Sequence, residues 1–156
     1  MRLWAKILLI LLFGIKLLHA QNKPALEYQV KAAFLYNFTR FISWPASAFS
    51  SPDAPFVIGI IGNDPFGSYL EEVVTGEKVE NRPIVVQRYQ NINEIQNCHI
   101  IFVNYGEPPK IKEALTTVER TNTLAVSDAP NFGKLGGQIQ FLKENGKVRI
   151  QINMAT

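Results

Sequence analysis

Cysteine and histidine are almost absent from this 156-residue chain, which has one of the first and two of the second. One thiol, Cys98, cannot form a disulfide within the chain, and we expect it to be a free, buried thiol. A metal centre needs several convergent ligands, and this supply predicts none. Because Cys98 and His99 are adjacent, they point to opposite faces of a strand and cannot form a catalytic dyad.

Signature motifs of catalysis and of nucleotide binding are also missing. The chain has no G-x-S-x-G nucleophile elbow, no G-x-G-x-x-G fingerprint and no Gly-Lys-Ser/Thr sequence. Gly59, Gly62 and Gly67 therefore indicate turn geometry and close packing instead of a phosphate-binding loop. A phosphoacceptor domain with a parallel α/β sheet needs a carboxylate at the end of its third strand. The third strand that we predict for this chain ends at Asn104 instead. No cofactor is expected.

Long apolar runs are confined to the start of the chain. Arg2 and Lys6 give this segment a positive beginning, and Ile7–Ile15 is a continuous apolar run. Lys16 ends the run well short of the roughly 18 residues that a membrane span needs, and Ala20 is a small residue suited to cleavage. The pattern is that of a secretory signal peptide.

We therefore predict a cleaved signal peptide over residues 1–20 and a single domain over residues 21–156, with Gln21 first in the mature protein. The signal contains three of the sixteen basic residues and none of the thirteen acidic ones. Its removal leaves thirteen of each, so the formal charge of +3 belongs to the signal. A neutral domain gives no electrostatic reason to expect nucleic acid as a partner.

Apolar runs in the remainder predict strands that alternate with helices. The central stretch Phe56–Gly67 (FVIGIIGNDPFG) predicts a strand buried on both faces, a turn and a helix start. We expect an α/β three-layer sandwich with a mostly parallel, Rossmann-like sheet of about six strands in the order 2-1-3-4-5-6. The predicted strands are 56–61, 83–89, 99–104 and 123–127, followed by an antiparallel hairpin of 138–142 and 147–153, and the predicted helices are 66–75, 92–97 and 108–120.

A long helix is predicted before the sheet, from Pro24 to the Trp44-Pro45 pair. Apolar residues at helical spacing define its expected buried face, with Lys31, Thr39 and Arg40 outside that face. The apolar residues of this predicted face are Leu26, Val30, Ala33, Phe34, Phe38, Phe41 and Ile42.

Candidate binding residues lie where the carboxyl ends of the parallel strands are expected, since such sheets usually bind ligands there. They are Asn63, Asp64 and Phe66 after the first strand, and Asp128 and Phe132 after the fourth. Asp64 and Asp128 would flank the third strand, about 9–10 Å apart at ~4.8 Å per strand. An enzyme that uses both carboxylates is therefore the weakest of the alternatives that remain open.

Two further candidates lie outside these loops. Trp44, like Phe132, is a candidate for partner contact, with core packing as the favoured role. Arg82 can bind an anion, but we expect it to pair with a carboxylate of Glu71, Glu72 or Glu80.

The predicted hairpin alternates apolar and polar residues, so one of its faces is apolar. Such a face on an edge pair must be covered, or it becomes a site of association. Asn153 suits the N-cap of a following helix, yet only three residues come after it. We expect the domain to lack a C-terminal helix on this face, which leaves the hairpin poorly protected and prone to self-association. The apolar residues concerned are Ile139, Phe141, Val148, Ile150 and Ile152.

Several stretches between Glu27 and Asn153 resemble the YfiR family of bacterial periplasmic proteins. They are EYQVKAAFLYNFTRFISWP, PFVIGIIGNDPFG, GEKVENRPIVV, CHIIFV, and GGQIQF followed by GKVRIQIN. The resemblance implies a periplasmic α/β domain that is not an enzyme and is typically a homodimer. Some members are controlled by disulfides and most continue with a further helix, whereas this chain has Cys98 alone and stops at Thr156.

The resemblance also implies partners. Characterised members restrain an inner-membrane diguanylate cyclase through its periplasmic sensor region, and an outer-membrane lipoprotein relieves the restraint, so the output is cyclic di-GMP and biofilm formation. A regulator of such a cyclase, or of another membrane sensor protein, is the leading hypothesis. The alternative is a periplasmic small-molecule binding module whose pocket is rimmed by Gly62–Gly67, Tyr105–Pro109 and Asp128–Gly137.

Overall fold

The computed structural model of this protein describes residues 23–154. The predicted signal peptide and the predicted mature start at Gln21 lie outside the described residues. Within residues 23–154, no helix combines the length and apolar character needed to cross a membrane. The elements in chain order are α1 (Lys23–Phe41), β1 (Phe56–Gly62), α2 (Tyr69–Val74), β2 (Lys78–Val79), β3 (Arg82–Tyr89), β4 (Ile100–Asn104), α3 (Pro108–Val118), β5 (Leu124–Ser127), β6 (Ile139–Glu144) and β7 (Lys147–Ile152).

Seven strands form one sheet in the order β2-β3-β1-β4-β5-β6-β7. Neighbouring strands from β3 to β6 are parallel, whereas β2 and β7 pair antiparallel with β3 and β6. Asn145 and Gly146 join the last two strands with φ angles of 50° and 74°, as a two-residue hairpin turn requires. The predicted α/β class, strand order and terminal hairpin are confirmed. β2 was not predicted, because a two-residue strand leaves no apolar pattern.

Helices cover the sheet on both faces, which confirms the three layers. Ile58 and Ile60 of β1 pack in the core beneath α1 and α2, whereas Val57 and Ile61 pack in the core beneath α3. Consecutive residues of β1 therefore bury their side chains on opposite faces. This explains why β1 is apolar throughout and lacks polar alternation.

Two predicted helices are shorter than expected because side chains hold their backbone in turns. The segment predicted as a helix over residues 92–97 is a single 3₁₀ turn, Ile92–Glu94, closed by a reciprocal capping box between Asn91 and Glu94. The helix predicted to begin at Phe66 begins at Tyr69. Asp64 accepts the Phe66 N–H at 2.8 Å and so fixes an Asx turn first.

α1 buries a different stripe from the one predicted. Lys31 and Thr39, expected outside the buried face, are only 3% and 1% exposed, while Arg40 is exposed as predicted. Conversely, Leu26 and Phe41 are 62% and 82% exposed. The helix has apolar residues on most of its circumference, so hydrophobicity alone does not identify the side that packs on the sheet.

The apolar face of the β6–β7 hairpin is covered by α1. The Phe141 ring lies 5.9 Å from that of Phe34 and 6.3 Å from that of Phe38, between centroids. Ile150 pairs with Phe141 across the hairpin and is half-buried against the same core. The expectation of an uncovered face is therefore wrong for most of the hairpin and correct at Ile152, which is 62% exposed.

Candidate functional site

The carboxyl ends of β1 and β4 meet at the topological switch point of the sheet, because the chain leaves β1 towards β3 and β4 towards β5. Ligands of doubly wound sheets usually enter a crevice at this point, but here the two loops are hydrogen-bonded together. The Asn63 N–H donates to the Asn104 carbonyl at 3.1 Å, and the Asn104 side-chain amide donates to the Asn63 carbonyl at 2.8 Å. The crevice is therefore closed by protein atoms.

Gly62 makes this closure sterically feasible. Its φ is +90°, and a Cβ at this position would lie 2.2 Å from the Asn104 carbonyl oxygen. Only glycine accommodates both the backbone conformation and the close approach of the two strands. The predicted turn role of Gly62 is confirmed, and its packing partner is the backbone of β4.

Arg88 ties the loop after β1 to β3 and α2. Its Nε donates to Asp64 at 2.7 Å, and its other nitrogens donate to the Gly67 carbonyl at 2.8 Å and to the Glu71 carboxylate. The hydrogen bond from Arg88 holds the pKa of Glu71 below its usual range. Since Asp64 also accepts the Phe66 N–H, both of its carboxylate oxygens are committed to structural contacts. Sequence reasoning missed Arg88, although its place near the end of the strand beside β1 was an available signal.

Arg82 has a structural role that the sequence did not predict. Its guanidinium donates to the carbonyls of Ser51 and Ala54, at 3.0 and 2.9 Å, and so holds the segment between α1 and β1. The predicted ion pair is wrong: the guanidinium bonds to backbone oxygens instead, and the carboxylate of Glu71 is taken by Arg88.

A buried lysine anchors α1 at the carboxyl end of β5. Lys31, whose side chain is 4% exposed, donates to Asp128 at 2.6 Å and to Glu27 at 2.7 Å. Glu27 also accepts from Lys143 at 2.6 Å, and the Tyr28 hydroxyl donates to Asp128 at 2.9 Å. Two cations thus face two carboxylates, which offsets the desolvation of the buried ammonium. We call these five residues the Lys31 network.

Burial and charge shift two pKa values in the Lys31 network. Burial acts to raise the pKa of Glu27, but hydrogen bonds from Lys143 and Lys31 outweigh it and the net shift is downward. Burial, together with the neighbouring Asp128, raises the pKa of Tyr28 far above its usual range. Asp128, like Asp64, is therefore committed to structural partners. The i,i+4 spacing of Glu27 and Lys31 is enough to predict their ion pair from the sequence. The pairing of Lys31 with Asp128 has no such signal, because the two residues are far apart in the chain.

The aromatic candidates belong to the core. Phe66 and Phe132 are both fully buried, so the hypothesis that they contact a partner directly is wrong. Trp44 is half-buried, packs edge-on against Phe56 at 4.8 Å and donates its indole N–H to the Asn122 carbonyl at 3.1 Å. Trp44 therefore links the end of α1 to the sheet, and only part of its ring is available to a partner.

The three loops proposed as a pocket rim do not enclose one pocket. The concavity beside Arg88 at the carboxyl edge has a volume of about 230 Å³, below the roughly 300 Å³ at which ligand pockets begin. A larger concavity of about 580 Å³ lies between the loop containing Asn131 and Lys134 and the hairpin residues Gln140 and Gln151. Across residues 23–154, no three histidine, cysteine, aspartate or glutamate side chains converge as a metal site.

Cys98 and His99 point into different layers, as the adjacent positions predict. Cys98 lies in the core beneath α3, where burial raises the pKa of its thiol to about 12. His99 is 2% exposed, its ring lies between those of Phe49 and Phe56, and its Nδ1 accepts the Val57 N–H at 3.0 Å. The histidine is therefore a buried, neutral acceptor at the beginning of β1.

Stability should fall in mildly acidic solution because of His99. Burial lowers its pKa below the ordinary value of 6.5, so the unfolded chain takes up this proton at higher pH than the folded protein does. The stabilisation is complete above pH 6.5 and is lost as pH falls towards the lowered value, with a slope of up to about 1.4 kcal/mol per pH unit. Urea unfolding between pH 8 and pH 5 measures this slope. In His99→Gln, which keeps an acceptor but cannot titrate, the slope should be smaller; an unchanged slope would assign the effect to other groups.

The family model described as YfiR/HmsC-like matches residues 28–156 of the chain. The match includes every strand of the sheet, the closed switch point and all of the Lys31 network except Glu27. No curated protein matches the chain.

Proposed function

The chain belongs to the YfiR/HmsC-like family, and on this premise we propose that it is a periplasmic regulatory protein without catalytic activity. It binds the periplasmic sensor region of an inner-membrane signalling enzyme, a diguanylate cyclase, and restrains the production of cyclic di-GMP. An outer-membrane lipoprotein that competes for the regulator releases this restraint. Residues 1–20 direct the protein to the periplasm as a cleaved signal peptide.

One observation carries the proposal: where doubly wound sheets usually open a ligand cleft, the carboxyl edge of this sheet has a concavity of only about 230 Å³. The usual ligand crevice is closed between Asn63 and Asn104. The two aspartates predicted as candidates at this edge, Asp64 and Asp128, are committed to Arg88 and Lys31. Because both aspartates are already bound to cations of the fold, this edge supports recognition of another protein more than chemistry on a substrate.

The exposed part of this surface is polar and held in place. The side chains of Arg88, Asp64 and Glu71 are 39%, 21% and 41% exposed, and the arginine fixes the two carboxylates relative to one another. Charged groups in a fixed arrangement select a partner of complementary potential and accelerate its encounter. We assign the contact with the sensor region to this group and to the neighbouring Asn63.

A charge reversal at Arg88 tests the assignment. Arg88→Glu places three acidic groups together and should weaken binding of the purified sensor region by at least tenfold, about 1.4 kcal/mol. Arg149→Glu is the matched control, because Arg149 is also an exposed arginine next to a glutamate but lies on the last strand. Isothermal titration calorimetry measures both affinities, and circular dichroism checks that both variants are folded.

The cellular readout is cyclic di-GMP. Deletion of the gene should raise the concentration of cyclic di-GMP in cells that contain the partner cyclase, and Arg88→Glu should behave as the deletion does. The proposal fails if the wild-type protein does not bind the sensor region, or if Arg149→Glu weakens binding as much as Arg88→Glu does.

The 580 Å³ concavity favours a second candidate, a small-molecule binding module. Amide groups of Asn131, Gln140 and Gln151 and the ammonium of Lys134 line it, which suits a polar or anionic ligand. If the protein acts through this site, Gln140→Leu should abolish its effect on cyclic di-GMP and Arg88→Glu should not.

A further inference from the structure

The imidazole of His99 is a buried titratable group that has no part in the proposed contact with a partner. Its ring lies 4.4 Å from that of Phe49 and 4.5 Å from that of Phe56, between centroids. Because Nδ1 accepts the Val57 N–H at 3.0 Å, the ring is neutral and its hydrogen is on Nε2. This Nε2 is buried, and no group in residues 23–154 accepts its hydrogen. The site therefore suits neither a second donor nor a charge.

The backbone of His99 is held in place by neighbouring strands on both sides. The His99 N–H donates to the Val57 carbonyl at 3.0 Å, and the His99 carbonyl accepts the Leu124 N–H at 2.8 Å. Val57 is in β1 and Leu124 is in β5, so His99 is tied to the strands on either side of β4. Any movement that changes the surroundings of the ring must therefore come from the segment that covers it.

Residues 42–55, which we call the joining segment, connect α1 to β1 and place Phe49 on the imidazole. The segment has one regular turn, the 3₁₀ turn Ala46–Ala48, and none of its residues is fully buried. The backbone of Ala48 lies close to the imidazole but outside hydrogen-bonding geometry. Segments with few buried contacts open at a lower free energy than the core does. The joining segment is therefore the part of the site that can move.

Arg82 is a second anchor of the joining segment. Its guanidinium carbon lies 3.9 Å from the centroid of the Phe49 ring, and its hydrogen bonds reach the carbonyls of Ser51 and Ala54. The Phe49 ring is thus in contact with both a neutral imidazole and a cation. Burial lowers the pKa of His99, and the positive charge of Arg82 acts in the same direction.

Among the described residues, the elements around the ring offer no carboxylate to a charged imidazole. β1 and β5 have no ionisable side chain, and Cys98, the preceding residue, lies in the opposite layer. The carboxylates of the joining segment and of the turn before β3, Asp53 and Glu80, are exposed to solvent. Arg82 is the charged group that acts on His99, and its charge would have the same sign as that of a protonated imidazole.

Protonation would leave the buried ring with two donors and no acceptor. The Nδ1–H would face the Val57 N–H, which loses its acceptor, and the Nε2–H would still lack one. The added charge would also lie close to the Arg82 guanidinium, since both groups contact the Phe49 ring. Displacement of the joining segment relieves these unfavourable contacts, because water then solvates the imidazolium and Arg82 can move away from it.

We propose that His99 and the joining segment form a pH-sensitive switch, in which the segment is closed over the neutral imidazole and opens when the imidazole takes up a proton. Opening separates Phe49 from His99 and gives solvent access to Trp44, while the sheet stays folded. The connection between α1 and β1 is then looser, so the surface that the protein presents differs between neutral and acidic solution. Histidine is the side chain whose charge ordinarily changes in this pH range.

Both parts of the switch have a natural reporter, because residues 21–156 contain one histidine and one tryptophan. In the purified mature protein, NMR shifts of the imidazole measure protonation of His99, and acrylamide quenching of fluorescence measures solvent access to Trp44. Between pH 8 and pH 5 the two signals should change with one midpoint, below the ordinary pKa of about 6.5. The quenching constant should rise about twofold or more, and exchange of the Val57 amide should accelerate at least about tenfold relative to its intrinsic rate. Far-UV circular dichroism should not change.

Two variants assign the transition to the switch. His99→Gln keeps an acceptor for the Val57 N–H but cannot take up a proton, so quenching of Trp44 should not change with pH. Arg82→Gln removes the like charge and two hydrogen bonds to the joining segment, so the common midpoint should move to higher pH. Arg149→Gln is the matched control, since it removes an exposed arginine on β7 and should leave the midpoint unchanged. The wild-type and Arg82→Gln titrations decide the question even if His99→Gln does not fold.

Four results would overturn the proposal. The first two are constant quenching of Trp44 while His99 titrates, and a pH-dependent change in quenching that persists in His99→Gln. The third is a midpoint that does not rise in Arg82→Gln or that rises equally in Arg149→Gln. The fourth is a loss of far-UV circular dichroism with the same midpoint, because the whole domain would then unfold in place of the joining segment.

Discussion

Asp128→Ala is expected to lower the free energy of unfolding by about 3 kcal/mol, because it removes one of the two carboxylates that compensate the buried Lys31 ammonium. Asp128 also accepts the Tyr28 hydroxyl, so the replacement leaves a second group without its partner. Chemical denaturation with urea measures the loss as a lower midpoint at an unchanged slope.

Lys143→Ala is the control for this prediction. Lys143 pairs with Glu27 at 2.6 Å, as closely as Lys31 pairs with Asp128, but its side chain is 56% exposed. An exposed pair contributes about 0–1 kcal/mol, so this replacement should have a small effect. Equal losses in Asp128→Ala and Lys143→Ala would show that burial of Lys31 is not the source of the effect.

Replacing both members of the buried pair separates charge from packing. In Lys31→Met with Asp128→Ala, the buried ammonium is replaced by an apolar side chain of similar length, and most of the lost stability should return. Asp128 variants are also unsuitable for testing function, because a loss of activity in any of them would first reflect detachment of α1. Asp64, which is bound to the partly exposed Arg88, is the better position at which to test the enzyme alternative.

Gly62→Ala is expected to destabilise the protein by about 4 kcal/mol through two effects at the switch point. The positive φ of 90° disfavours any residue with a Cβ, at about 1–3 kcal/mol. The added carbon would also lie 2.2 Å from the Asn104 carbonyl oxygen, and overpacking of this kind costs about a further 1–3 kcal/mol. Thermal unfolding by calorimetry measures the sum.

Gly76→Ala measures the backbone strain separately from the steric clash. Gly76 has a similar φ of +80°, but no atom lies within 4 Å of the position that its Cβ would take. Its replacement should cost only the backbone strain, about 1–2 kcal/mol. If both alanine variants lost the same stability, the strand ends at Gly62 and Asn104 would have to separate easily, and a ligand crevice at the switch point would again be plausible.

The sheet was predictable from the sequence because its signals are local. Continuous apolar runs identified the buried strands, Asn145-Gly146 identified the hairpin, and the alternation of strands and helices led to the parallel order. The side of α1 that is buried was not predictable. The carboxylate of Asp128 that permits burial of Lys31 lies 97 residues further along the chain.

The carboxyl edge of the sheet was likewise predictable in part. The rule for strand ends identified the loop containing Asn63 and Asp64, which the structure does place at the switch point. It could not indicate that Asn104 closes the crevice or that Arg88 neutralises Asp64, because both contacts join neighbouring strands that are distant in sequence.

For this protein, the sequence by itself determined the order of strands, the hairpin turn and the absence of a catalytic motif. Each of these depends on residue types and on their spacing within one segment. Only the tertiary structure decided which polar groups are neutralised, which aromatic residues are buried and where apolar surface remains exposed. Those properties depend on the free energy of burying a group, and that energy is set by the partners that other segments bring to it.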